Sequence, residues 1–286
     1  LNIATSVDKI RINFFDKYII SDSGKMRINN DTFKVALDTN YIAKTYTYSV
    51  KAIGDLSSNT LKALSKSKAL STLKGKSLTE ITISYSKKNN RKVLNGSLRT
   101  YMEGMSFDIF SPFKKISNEK KLLNIKYNFN KEANNIIDLT FDIYNMRFTK
   151  TEKSLLMNVS SPYLKGDIIF PNTISNNNKL EANLRYFDLN KFGGKSNPAE
   201  YSFLNISTQK AKIKDYYFDD FKVQTSPAKD GLIIDHISFT NQHLTMNGTG
   251  KWINLSSGQT TFFDGDFTSN DFGTSLNNLG YKNLIK

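Results

Sequence analysis

The chain has 286 residues, of which 38% are hydrophobic, 23% charged and 12% aromatic, a usage ordinary enough to exclude gross disorder. There is no cysteine, which excludes disulfides, thiolate metal sites and cysteine nucleophiles. The net charge of +14 favours anionic partners such as nucleic acid, lipid headgroups or lipopolysaccharide.

The sequence opens at Leu1 without the charged and apolar regions of a secretory leader. No stretch approaches the roughly 18 to 20 apolar residues needed to span a bilayer. The expectation is a section of a longer protein whose membrane anchor lies outside it. Aromatic residues, nearly all Phe and Tyr, and the many Ile and Thr suit pleated, half-buried strands.

The first departure from a β pattern is at 57–74. There Leu61, Leu64, Leu70 and Leu73 fall at roughly helical spacing, Ser57, Ser58 or Asn59 can cap the start, and Gly75 can close the end. The period then becomes two. Ile81, Ile83 and Tyr85 alternate with Thr82 and Ser84; Ile125, Tyr127 and Phe129 alternate with Lys126 and Asn128. Ile137, Leu139, Phe141 and Ile143 alternate with Asp138, Thr140 and Asp142, and Leu180, Ala182, Leu184 and Tyr186 follow the same rule. Each such strand has one apolar and one polar face, as in an antiparallel sheet with one wet side.

Turn signals punctuate these runs at Ser23-Gly24, Asn89-Asn90, Asn95-Gly96, Asn176-Asn177-Asn178, Asp230-Gly231, Asn247-Gly248 and Ser257-Gly258. Phe192 to Pro198 has loop composition and divides the chain into sections 1–192 and 193–286, unless the whole is one continuous domain. A second short helix is predicted over Asn270–Gly280. Asn270 is placed at its N-cap, Phe272, Leu276 and Leu279 share one stripe, and Gly280 follows the end.

Catalytic signatures are absent from the sequence. It has no Gly-x-Ser-x-Gly elbow, no His-Glu-x-x-His and no phosphate loop. Gly248-Thr249-Gly250 is too short for a dinucleotide fingerprint and leads to Trp252 in a strand. The only histidines, His236 and His243, lack a third partner in the pattern and read as surface or turn residues. Asp215, Asp219 and Asp220 are interrupted by aromatics and read as a solvated strand edge rather than a calcium loop. Lys87, Lys88, Arg91 and Lys92 flank an expected hairpin tip, and Lys114, Lys115, Lys120 and Lys121 form a second basic group. With no nucleic-acid motif beside them, both groups read as solvated loops. No enzyme activity, cofactor, metal or nucleic-acid partner is expected.

Three stretches carry a resemblance. Gly104-Met105-Ser106-Phe107-Asp108-Ile109-Phe110-Ser111-Pro112-Phe113-Lys114-Lys115 precedes Leu122-Leu123-Asn124-Ile125 and an alternating strand. Ser160-Ser161-Pro162-Tyr163-Leu164-Lys165-Gly166-Asp167-Ile168-Ile169-Phe170-Pro171 repeats a small-residue turn, a glycine and a strand ending in proline. From Gly231 a strand pair leads to Gly250-Lys251-Trp252, then Thr260-Thr261-Phe262, Gly265, Asp271-Phe272-Gly273 and Leu279-Gly280-Tyr281. The order of these landmarks over residues 75–286 resembles the AsmA-like envelope proteins of the YhdP/TamB type.

That resemblance implies an all-β fold: an elongated, curved antiparallel sheet, groove-like or β-taco-like, with two or three short helices. It implies a periplasmic section of a protein anchored in the inner membrane of a Gram-negative bacterium, shielding phospholipid acyl chains on the way to the outer membrane. Under it, the expected apolar lining is Ile81, Ile83, Tyr85, Ile125, Tyr127, Phe129, Leu139, Phe141, Ile143, Leu184, Ile237 and Phe239, with Lys114 and Lys115 as headgroup contacts. The alternative is a structural β-scaffold that binds envelope proteins through its edge strands.

Overall fold

A computed structural model of the chain describes residues 5–15, 18–42, 45–64, 70–88, 91–108, 112–130, 135–175, 179–192, 203–256 and 258–278. The Asn89-Asn90 and Asn176-Asn178 turns, Ser257, Ile109 to Ser111, the loop at 193–198 and Leu279 to Tyr281 lie outside the described residues. The fold is mostly strand and divides into two compact units, Leu1–Lys150 and Thr151–Lys286.

In the first unit, β1 (Thr5–Ile10), β2 (Asn13–Phe15), β3 (Tyr18–Ile28), β4 (Asp31–Ile42) and β5 (Thr45–Ser57) lead into helix α1 (Ser58–Leu64). Next come β6 (Lys74–Lys88), β7 (Arg91–Thr100), a corner made of β8 (Met105–Asp108) and β9 (Lys114–Lys115), then β10 (Leu123–Asn130), β11 (Ile136–Phe141) and β12 (Tyr144–Lys150). The main ladder is antiparallel throughout, in the order β1, β3, β4, β5, β6, β7, β10, β11, β12. Two-residue turns join β3 to β4 and β11 to β12, with Asn29 and Asp142 at positive φ. Asn and Asp tolerate that region best among residues bearing a Cβ.

The second unit contains β13 (Ser154–Ser160), β14 (Leu164–Pro171), β15 (Leu180–Asp188), β16 (Leu204–Ile213), β17 (Tyr216–Ala228), β18 (Gly231–Thr240), β19 (Leu244–Leu255), β20 (Gly258–Ser269) and helix α2 (Phe272–Asn278). Neighbours in sequence are neighbours in the sheet. All are antiparallel except β15 and β16, which pair in parallel on either side of the segment where the sequence places a joint. Its core is Ala211, Phe218, Phe221, Phe239 and Leu244, with Phe239 edge-on to Phe218 at 4.8 Å.

Several sequence expectations need correction. Ser23-Gly24, Asn95-Gly96 and Asn247-Gly248 sit inside β3, β7 and β19 rather than in turns. The reason is packing: Gly248 faces Gly265 across the ladder, and a Cβ at either would collide with the ring of Phe263. Gly75 does not end a helix. It lies in β6 at φ +88°. The described helix stops at Leu64, and residues 65–69 are outside the description. Ser57 is the cap, its Oγ accepting from the Thr60 N–H at 3.3 Å. The cap of α2 is Asp271, not Asn270, because Asp271 Oδ1 accepts the Thr274 N–H at 2.9 Å. Ile143 is a turn residue, since β11 ends at Phe141.

Candidate functional site

Strand register in the first unit gathers one residue type on one face. From β4 to β12, one row reads Val35, Ala52, Ile81, Leu98, Ile125, Leu139 and Met146, each the direct cross-strand partner of the next. Two residues further along the strands, the next row reads Leu37, Val50, Ile83, Gly96, Tyr127, Ile137 and Phe148. Beyond that lie Thr39, Tyr48, Tyr85, Leu94 and Phe129. Direct cross-strand partners share a face, so Ile81, Ile83, Tyr85, Ile125, Tyr127, Phe129, Leu139 and Phe141 all lie together.

The opposite face is mainly polar, with Ile53, Leu78 and Ile136 exposed among its polar residues, and it is bonded to itself. Asn128 donates to Asn95 at 2.9 Å, and Arg147 grips Asp138 with two bonds of 2.6 and 3.2 Å. A shallow depression there is lined by Thr82, Ser84, Lys126 and Asp138, and nothing in it converges on a reacting centre.

Coverage of the apolar face is uneven. At one end of the strands, Phe33 and Leu56 are buried with Leu61 of α1 against them. Nearby, Phe107 and Phe113 of the corner pack on Phe141 at 5.5 and 6.2 Å, and Phe113 on Tyr144 at 5.0 Å. At the other end the face is uncovered among the described residues: Ile83 is 49% exposed, Tyr48 45% and Tyr85 36%. A contiguous patch of this kind on a protein surface marks an interaction site.

The candidates therefore separate. Ile83 and Tyr85 stand on the open part, and Ile81, Ile125, Tyr127, Phe129 and Leu139 are half-buried beside it. Phe141 is in the closed end. Phe239 is buried in the second unit's core with Ile237 packed against it, and Leu184 is buried on β15 of the same unit, outside that cluster.

Lys114 is exposed and paired with Asp108 at 3.1 Å. Lys115 is 2% exposed. Its Nζ donates to the carbonyls of Met105 (2.7 Å) and Ile116 (3.0 Å), and burial lowers its pKa against the opposing pull of Glu119. Lys115 thus pins the corner from inside, whereas Lys114 stays at the surface. A lysine run read from sequence as a solvated loop cannot reveal which of its members turns inward.

Sequence reasoning missed Tyr41, Tyr46 and Tyr48. Tyr41 and Tyr46 meet at 4.4 Å, and Tyr46 stacks on Tyr48 at 6.3 Å. The alternation Tyr46-x-Tyr48-x-Val50 was the available signal. Neither histidine heads a site: His236 contacts Ser238 Oγ at 3.1 Å, and His243 contacts Asn270 at 3.3 Å. Among the described residues no group of His, Asp and Glu is placed to hold a metal ion.

An open, largely antiparallel sheet, with an apolar and a mainly polar face in its first unit, is an architecture that offers surface for binding or scaffolding. A family model described as YhdP protein matches residues 130–286. That is more than half of the chain, and the protein belongs to the YhdP family. The family is one of envelope proteins and is generally not enzymatic. No curated protein and no solved structure matches the chain. Among the described residues no helix is long and apolar enough to cross a membrane.

Proposed function

We propose that this protein shields the acyl chains of glycerophospholipids on the apolar face of its first unit. In this reading it supports phospholipid transport to the outer membrane and the barrier function of the envelope. It works in the periplasm of a Gram-negative bacterium, and the full-length protein is anchored in the inner membrane. The observation that carries the reading is the end of the face left uncovered among the described residues, where Ile83, Tyr48 and Tyr85 stay exposed although they continue, along their strands, an apolar row that runs unbroken from Val35 of β4 to Met146 of β12.

The energetics favour such a surface. A lipid tail in water costs about 0.8 kcal/mol per CH₂, so a sixteen-carbon chain costs roughly 12 kcal/mol. A passive apolar lining removes that cost with no base, metal or cofactor. Strands about 4.8 Å apart extend the lining by one residue's width at each step across the sheet.

The scaffold reading keeps one observation of its own. β20 pairs with β19 alone among the described strands, and Phe262, Phe263 and Phe267 on it are 52%, 43% and 52% exposed. A long aromatic edge strand invites another strand.

Gentle purification from bacteria followed by lipid mass spectrometry of the organic extract separates the two. Phospholipid bound in stoichiometric amount, and lost in Ile83→Asp, is the outcome expected of a lipid carrier. A folded, lipid-free protein that captures an envelope protein through β20 would replace this reading with the scaffold.

A further inference from the structure

The apolar face has a direction along its strands. Reading β6 outward from the closed end, the residues on this face are Ile81, Ile83, Tyr85 and Lys87. β5 runs Ala52, Val50, Tyr48, Tyr46, and β7 runs Leu98, Gly96, Leu94, Lys92. On β6 aliphatic residues thus give way to a tyrosine and then a lysine, while β5 beside it ends in tyrosines and β7 in a lysine. The same succession of hydrocarbon, amphipathic ring and cation marks the depth profile of a lipid leaflet on proteins that touch one. The scale agrees. Ile81 to Tyr85 spans about 13 Å at 3.3 Å per residue, against a leaflet hydrocarbon depth of about 15 Å.

The charges point the same way. Lys87 and Lys92 are direct cross-strand partners, both are exposed, and neither is ion-paired with a described carboxylate. Like charges set opposite each other destabilise a ladder, and an anion between them reverses that sign. The sheet keeps this pair beyond the tyrosines, where Tyr48 stands opposite Tyr85.

We infer that the face holds a glycerophospholipid in one orientation, tails along the strands over Val50, Ile81 and Ile83 and phosphate at Lys87 and Lys92. This rests on the acyl-shielding reading above and adds the polarity of the bound lipid. It moves the headgroup contact from the corner at Lys114 to the opposite end of the strands.

The test uses the whole 286-residue chain and soluble short-chain lipids. Dihexanoyl phosphatidylglycerol carrying a photoreactive group on its tail should crosslink to residues 50–52, 81–83 and 125–127. The same lipid labelled on its headgroup should crosslink to 46–48, 85–87 and 92. Lys87→Gln with Lys92→Gln should weaken phosphatidylglycerol binding by about tenfold and leave dihexanoylglycerol, which has no phosphate, unchanged. Lys34→Gln with Lys126→Gln removes the same charge from the polar face and should change neither. Tail labels on this face with headgroup labels scattered over both ends would overturn the orientation while leaving acyl shielding standing. Equal losses in the two double variants would do the same. Labels that avoid this face altogether would overturn both.

Discussion

Gly75 and Gly104 meet backbone to backbone: a Cβ on Gly75 would collide with the Gly104 carbonyl, and one on Gly104 would lie 2.6 Å from the Lys76 carbonyl. Both have positive φ, +88° and +87°. This contact lets Met105 pair with Gly75 and folds the corner over the closed end of the apolar face. Gly75→Ala should therefore cost about 2 to 4 kcal/mol, combining left-handed strain with a backbone clash. Urea unfolding of the two proteins measures it; a loss below about 0.5 kcal/mol would mean the corner rearranges freely.

Exposed and buried positions on the same face should respond oppositely. Phe33 is fully buried, and Phe33→Ala should cost about 3 to 5 kcal/mol. Ile83→Asp, at a half-exposed site, should change stability by no more than about 1 kcal/mol yet abolish lipid co-purification. Thermal melts with lipid analysis of the same samples check both at once. If Ile83→Asp unfolded the protein instead, the face would be closed in solution.

Lys115 supplies a pH dependence with a definite sign. Its folded pKa is lowered by burial, so the unfolded chain binds the proton more tightly. Stability from this group rises with pH between the lowered folded value and the ordinary lysine value. Denaturation of the native protein and Lys115→Met across pH 7 to 10.5 should show a slope in the native protein that the variant lacks. At neutral pH the variant leaves the Met105 and Ile116 carbonyls without their donor, costing about 1 to 3 kcal/mol.

Asp271 titrates in the other direction. Its pKa is lowered chiefly by the Thr274 hydroxyl and also by the Thr274 N–H. The cap is thus present above the ordinary carboxylate pKa and is lost as pH falls through the lowered one. Amide exchange over residues 272–278 should be faster in Asp271→Ala than in the native protein at neutral pH. Acidification should speed the native protein toward the variant, beyond the intrinsic pH effect on exchange, and leave the variant unmoved.

Much of the sheet was legible beforehand because side-chain alternation is a property of the strand itself. Ile81, Ile125 and Leu139 share a face whatever lies over them, and the clean polar partners Thr82, Lys126 and Asp138 name the other face. Family landmarks such as Gly250-Lys251-Trp252 and Asp271-Phe272-Gly273 were equally readable, being order in sequence. Glycines were misread where their meaning came from a partner far away. Asn247-Gly248 has the local signature of a turn, but the ring of Phe263 requires the missing Cβ in mid-strand.

By itself the sequence determined the strand period, the two faces of each strand and the basic charge, all of which are local. Tertiary structure alone decided which part of the apolar face is filled and which is open. Helix α1, between β5 and β6, and the corner, between β7 and β10, fold over one end of the strands and, among the described residues, leave Ile83 and Tyr85 bare. It also decided that Lys115 turns inward while Lys114 stays in water. Burial depends on what packs over a residue, and no local pattern carries that information.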